Sequence, residues 1–97
     1  MENEITDEKL DRYFEITGKA LKKAAAALNE EELEKAKDFL DMATRYYDDA
    51  KFFKKKDDYV LAYGAINYAH GWLDAGARIE LFKVKDSVLF TVDDENV

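Results

Sequence analysis

The chain has no cysteine, no proline, a single histidine and only four glycines in 97 residues. Without Cys there is neither a disulfide framework nor a thiolate metal site, the usual supports of a small secreted domain, and the composition fits a reducing compartment. Without Pro, nothing forces a break inside a helix. No glycine-rich phosphate loop is present. The lone histidine, His70, has Asp74 one turn on, which makes two ligands where zinc takes three or four. Nucleophiles are scarce too, with Ser87 the only serine, so no catalytic residue, metal or cofactor is assigned. Positive charge is also in deficit. A net charge of −7 disfavours nucleic acid and anionic membrane as partners, because both reward positive surfaces. No apolar run reaches the roughly 18 residues that cross a bilayer. The first residues, MENEITDEKL, are acidic where a signal peptide is basic and then apolar, so the expectation is a soluble cytoplasmic protein.

What the chain does have is a long stretch almost free of charge. Tyr59 to Phe82 carries only Asp74, Arg78 and Glu80. At about 100° per residue, Tyr59, Ala62, Ile66, Ala69, Leu73 and Ala77 form one apolar stripe, and Leu61, Ala65, Tyr68, Trp72 and Ile79 a second beside it. The remaining arc holds Tyr63, Gly64, Asn67, His70, Gly71, Asp74 and Arg78, which are polar or very small rather than the flexible charges of a solvated face. Each interior Gly costs about 1 kcal/mol relative to Ala. Such a cost is offset where the missing Cβ lets another backbone or a ligand come close.

The rest of the chain reads as two more helices. Thr6 is a good N-cap, with Ile5 and Leu10 spaced as a hydrophobic staple, and Leu10, Phe14, Thr17, Leu21, Ala24 and Leu28 mark one seam. Gly18 within it marks a close helix approach. Asn29, with Glu32 three positions on, opens a second helix whose seam is Leu33, Ala36, Leu40, Ala43, Tyr47 and Ala50, flanked by Phe39, Met42, Tyr46 and Phe53. Lys54 to Lys56 close it where the helix dipole favours positive charge. Short links make neighbours antiparallel. The reading is one all-α domain, an antiparallel up-down-up three-helix bundle with helices over about 7–28, 30–55 and 58–82, and a short extended C-terminal tail over 83–97.

The run KKKDDYVLAYGAINYAHGWLDAGARIELF, and above all YAHGWLDAGAR at Tyr68 to Arg78, resembles the hallmark of a small archaeal family catalogued as domain of unknown function 357. The resemblance extends over most of the chain, including LFTVDD of the tail. It implies a compact helical domain in a prokaryotic cytosol and brings no activity, substrate or catalytic residue. One departure is Asp57, where the resemblance leads us to expect Gly in the turn before the third helix; Asp tolerates the left-handed conformation better than most residues.

Two functional readings follow. In the first, the third helix is an interaction or self-assembly surface through Tyr63, Gly64, Asn67, Gly71, Asp74 and Arg78, facing a second copy or a protein partner. In the second, His70, Asp74 and Arg78, helped by Asn67 and Tyr63, bind a small molecule or metal ion. Asp74 and Arg78, four apart, are expected to pair with each other. The basic run KFFKKK is read as a helix terminus with Phe53 in the core.

Overall fold

The structure, a computed structural model, describes residues 4–92, so the last five residues of the expected tail lie outside the described residues. It contains three helices, α1 (Asp7–Ala25), α2 (Leu33–Lys55) and α3 (Tyr59–Arg78), forming a three-helix bundle. The Thr6 hydroxyl accepts from Lys9 N at 3.1 Å and fixes the start of α1, with Asp7 and Glu8 in the first turn and Lys22 and Lys23 in the last. Ile5 packs against the core cluster that contains Leu10.

α2 and α3 form the most extensive helix pair, and α1 lies mainly against α3. Side-chain pairs give the directions. Along α1 and α2, Lys54 meets Asp11 and Tyr47 meets Phe14; along α2 and α3, Tyr46 meets Tyr68 and Phe39 meets Trp72. In both sets one residue number rises as the other falls, so each helix runs back along its predecessor. Tyr59 of α3 donates from its hydroxyl to Asp7 at the start of α1, and that bond pushes its pKa up to about 12.

Alanine lines much of the contact between the helices. Ala20, Ala24, Ala36, Ala43, Ala62, Ala69 and Ala77 are all buried, with Leu10, Ile66 and Leu73 between them. Gly18 serves the close approach that its position implies. A Cβ there would stand 2.9 Å from the Tyr47 hydroxyl, which donates to the Phe14 carbonyl at 3.4 Å.

Both α2 and α3 end in the same backbone turn. After α2, Asp58 N bonds to Phe53 O at 2.9 Å and Asp57 N to Lys54 O at 3.0 Å, with Asp57 at φ 58°. After α3, Leu81 N bonds to Gly76 O at 2.8 Å and Glu80 N to Ala77 O at 3.1 Å, with Glu80 at φ 62°. This is the Schellman arrangement, built twice on a residue other than its usual Gly. Asp57 therefore adopts the left-handed conformation anticipated for it. Asp58 then caps α3 by accepting from Leu61 N at 3.2 Å.

Three boundaries differ from the periodicity, and one cause covers two of them. α1 stops at Ala25 instead of running to about 28, and α3 at Arg78 instead of about 82. The backbone of 27–29 pairs with that of 81–83: Lys83 N to Ala27 O at 2.7 Å, Asn29 N to Leu81 O at 2.9 Å, with Leu28 and Phe82 in a single antiparallel bridge. Asn29 adds its side chain, donating to Glu80 O at 2.9 Å and accepting from Glu31 N at 3.1 Å. Glu30–Glu32 is a 3-10 turn, and α2 begins at Leu33. Beyond Phe82 the tail lies across the bundle, with Val84 and Phe90 buried against it.

A Cβ on Gly76 would lie 2.3 Å from a Phe82 ring carbon. Gly76→Ala is expected to destabilise by about 1–3 kcal/mol, the range for overpacking a tight core. Glu80→Gly should stabilise by about 1 kcal/mol by removing the left-handed strain. Urea denaturation of both variants checks the two signs.

Candidate functional site

The uncharged arc of α3 is divided by the bundle into two sides. Tyr63, His70 and Asp74 turn toward α1 and the tail. The Tyr63 hydroxyl lies 3.4 Å from that of Tyr13 on α1, and their rings meet edge to face at 5.2 Å. His70 Nδ1 is 3.0 Å from the hydroxyl of Thr17, a buried α1 residue, and its Nε2 is 3.6 Å from Asp74 Oδ1. Asp74 in turn accepts from the Thr91 backbone N–H at 2.9 Å and lies 3.1 Å from the Thr91 hydroxyl. A chain of polar contacts thus links α1, α3 and the tail, beside a cleft of about 240 Å³ lined by Tyr13, Ile16, Thr17, Asn67, His70, Gly71 and Asp74.

Arg78 is placed elsewhere. Among the described residues it makes no ion pair with Asp74, whose oxygens are engaged by Thr91. It lines a different groove, with Lys83 and Lys85 of the tail. The three residues expected to form one ligand site are therefore split between two places. Among the described residues, no group of three His, Asp or Glu is placed to hold a metal ion.

Gly64, Asn67 and Gly71 face outward and are exposed. Asn67 donates to the Tyr63 carbonyl at 3.0 Å. A Cβ on Gly64 or on Gly71 would meet nothing within 4 Å among the described residues. Together with Phe39, Tyr68, Trp72 and Ala75 they line an open groove of about 630 Å³ along α2 and α3. The Tyr68 ring lies tilted against that of Tyr46, centroids 4.3 Å apart, yet stays 55% exposed, and Leu61 is 50% exposed. The second apolar stripe of α3 is thus half open instead of covered. Trp72 packs edge-on to Phe39 at 5.0 Å, and its buried Nε1 has no hydrogen-bond partner among the described residues. In the KFFKKK run, Phe53 joins the core while Lys54 pairs with Asp11 and Lys56 sits over Phe52.

A family model described as "Protein of unknown function (DUF357)" matches residues 12–82. The chain belongs to the DUF357 family. The DUF357 match takes in both sides of the α3 arc and the Gly76 to Phe82 turn, and stops before the Asp86 to Thr91 part of the tail. No curated protein and no solved structure matches the chain.

Sequence reasoning missed Thr17 and Thr91 as partners of this DUF357 helix. Thr17 left a signal, because a hydroxyl at an apolar seam position needs a buried partner. Thr91 left none.

The tail is held at a second point by Asp86, which accepts from Lys23 Nζ at 2.8 Å and from the N–H groups of Val88 and Leu89. The Lys23 ammonium foremost holds the Asp86 carboxyl below its ordinary 3.8, outweighing desolvation. A lowered value means that the ionised form is favoured in the fold. This contribution is present above pH 3.8 and is lost as pH falls through the lowered value. Asp86→Asn removes the same contribution at neutral pH. The expected outcome is faster proteolysis between Lys85 and Val92 with helix content unchanged by circular dichroism; equal cleavage rates in variant and wild type would contradict it.

Proposed function

We propose that this chain is a protein-interaction module that presents the outer face of α3, centred on Gly64, Asn67 and Gly71, to another protein surface. The observation that carries this reading is the contrast among the glycines. Gly18 and Gly76 are filled by Tyr47 and Phe82 of the chain itself, whereas nothing among the described residues uses the space at Gly64 and Gly71. Each nevertheless costs about 1 kcal/mol of helix stability relative to Ala. Close approach by a second surface offsets that cost. The groove beside them is open, apolar and uncharged, which suits a packed helix better than a small polar ligand. Tyr63 and Asp74 act in this reading from behind the face, as contacts to α1 and the tail.

The small-molecule or metal-ion alternative rests on His70, Asp74 and Arg78. Its support is weaker, since Arg78 is apart from the other two and the 240 Å³ cleft is smaller than the roughly 300 Å³ at which ligand pockets begin.

The reading is tested by light scattering over a hundredfold concentration range on the wild type and Gly71→Leu. The variant should fold, because its side chain enters open space. An associating wild type and a folded monomeric variant support the face; two folded monomers sink the self-assembly form of the reading. Gly64→Ala and Gly71→Ala should each raise monomer stability by about 1 kcal/mol while weakening association.

A further inference from the structure

We propose that the groove between the end of α3 and the tail binds a small organic phosphate, its phosphate on Arg78, Lys83 and Lys85 and its apolar body over Phe82 and Val84. This goes beyond the interaction reading above, concerns a different surface and does not depend on it.

The three cations line one groove of about 380 Å³, inside the range of roughly 300–1,000 Å³ for ligand sites. All three are exposed, and none is in an ion pair among the described residues. Lys51 and Lys54, which line another groove beside Phe14, are by contrast matched by Asp48 and Asp11. Like charges gathered in one groove repel one another, and a bound anion relieves that repulsion.

The backbone that carries these cations is held in place. Arg78 stands on the last turn of α3, Lys83 N donates to Ala27 O at 2.7 Å, and Lys85 precedes Asp86, which Lys23 anchors at 2.8 Å. Lys83 and Lys85 flank Val84, which is buried, as is Phe82. With half-buried Val92 these two give the groove an apolar base beneath a charged rim. That combination suits a ligand with an anionic head and an apolar body.

Charge selects the head. Glu80 is the one carboxylate among the described residues that line the groove, so three positive charges meet one negative and the excess is two. A phosphate monoester carries about −1.5 to −2 at neutral pH and matches that excess, where a carboxylate brings a single charge. A nucleic acid is the wrong form of phosphate, because a surface of net charge −7 repels the polymer beyond the groove. The planar fork of Arg78 can take two phosphate oxygens, and the lysines act as point charges.

The test titrates the full chain with phenyl phosphate, inorganic phosphate and benzoate, followed by NMR chemical shifts. Phenyl phosphate should bind most tightly of the three, with saturable shifts at Arg78, Lys83, Val84 and Lys85. Arg78→Ala and Lys83→Ala should each raise its Kd about tenfold, as loss of a charge-assisted hydrogen bond does. Lys37→Ala removes an exposed, unpaired cation of α2 and should leave the Kd unchanged. Equal weakening by Lys37→Ala, or shifts that never saturate, reduces the effect to general attraction and overturns the site. Benzoate binding as tightly as phenyl phosphate overturns the dianion as its ligand. Asp93, Asp94 and Glu95 follow Val92 in the sequence, so the titration is repeated on a full-length chain with Asn, Asn and Gln at those positions. Binding by that variant alone overturns a site open to ligand in the native protein. Gly71→Leu should titrate as the wild type does, which keeps this result separate from that for the outer face of α3.

Discussion

The ring of Phe82 lies over the bare backbone of Gly76, and the rest of the structure depends on that contact. It requires the chain to reverse within four residues, which Glu80 does by taking a left-handed conformation. The reversal returns 81–83 to the end of α1, where they pair with 27–29 and stop that helix short. Asn29 then serves both strands of the junction, tying Glu80 with one side-chain atom and starting the next helix with the other. Phe82, buried at 1% exposure, thus lies outside any helix yet within the core cluster to which all three contribute.

α3 is accordingly a helix with three different sides. One packs on α2 through small residues and Leu73. A second reaches α1 and the tail through Tyr63, His70 and Asp74, each with a named partner. The third has none among the described residues. A solvated side of this kind is normally marked by Lys and Glu, and this one has glycine, alanine and half-exposed aromatic rings instead. That departure separates the interactive face from ordinary surface, more than the depth of any cavity does.

Much of the fold was legible because its signals are local. Thr6 caps where its side chain suggests, the Lys54 to Lys56 run closes α2, and the alternating steps of the α1 and α2 seams point to residues that are buried or half-buried. What was not legible depends on partners distant in sequence. The periodicity of α1 continues to Leu28, yet its last carbonyls and amides find better partners in 81–83. Asp74 and Arg78 have the spacing of a helix ion pair, but two donors on Thr91 outcompete one exposed guanidinium for the same carboxylate. The arc of α3 read as one surface because helical periodicity gives the angle of a residue and not the position of its neighbours.

The alanine lining between the helices has a thermodynamic consequence. Alanine contacts bring helix backbones together while burying little apolar surface for each residue ordered. The heat capacity of unfolding grows with apolar exposure by about 0.45 cal/K/mol per Å² and falls with polar exposure. The alanine contacts between helices therefore contribute less to that heat capacity than the buried rings of Phe82 and Phe90 do.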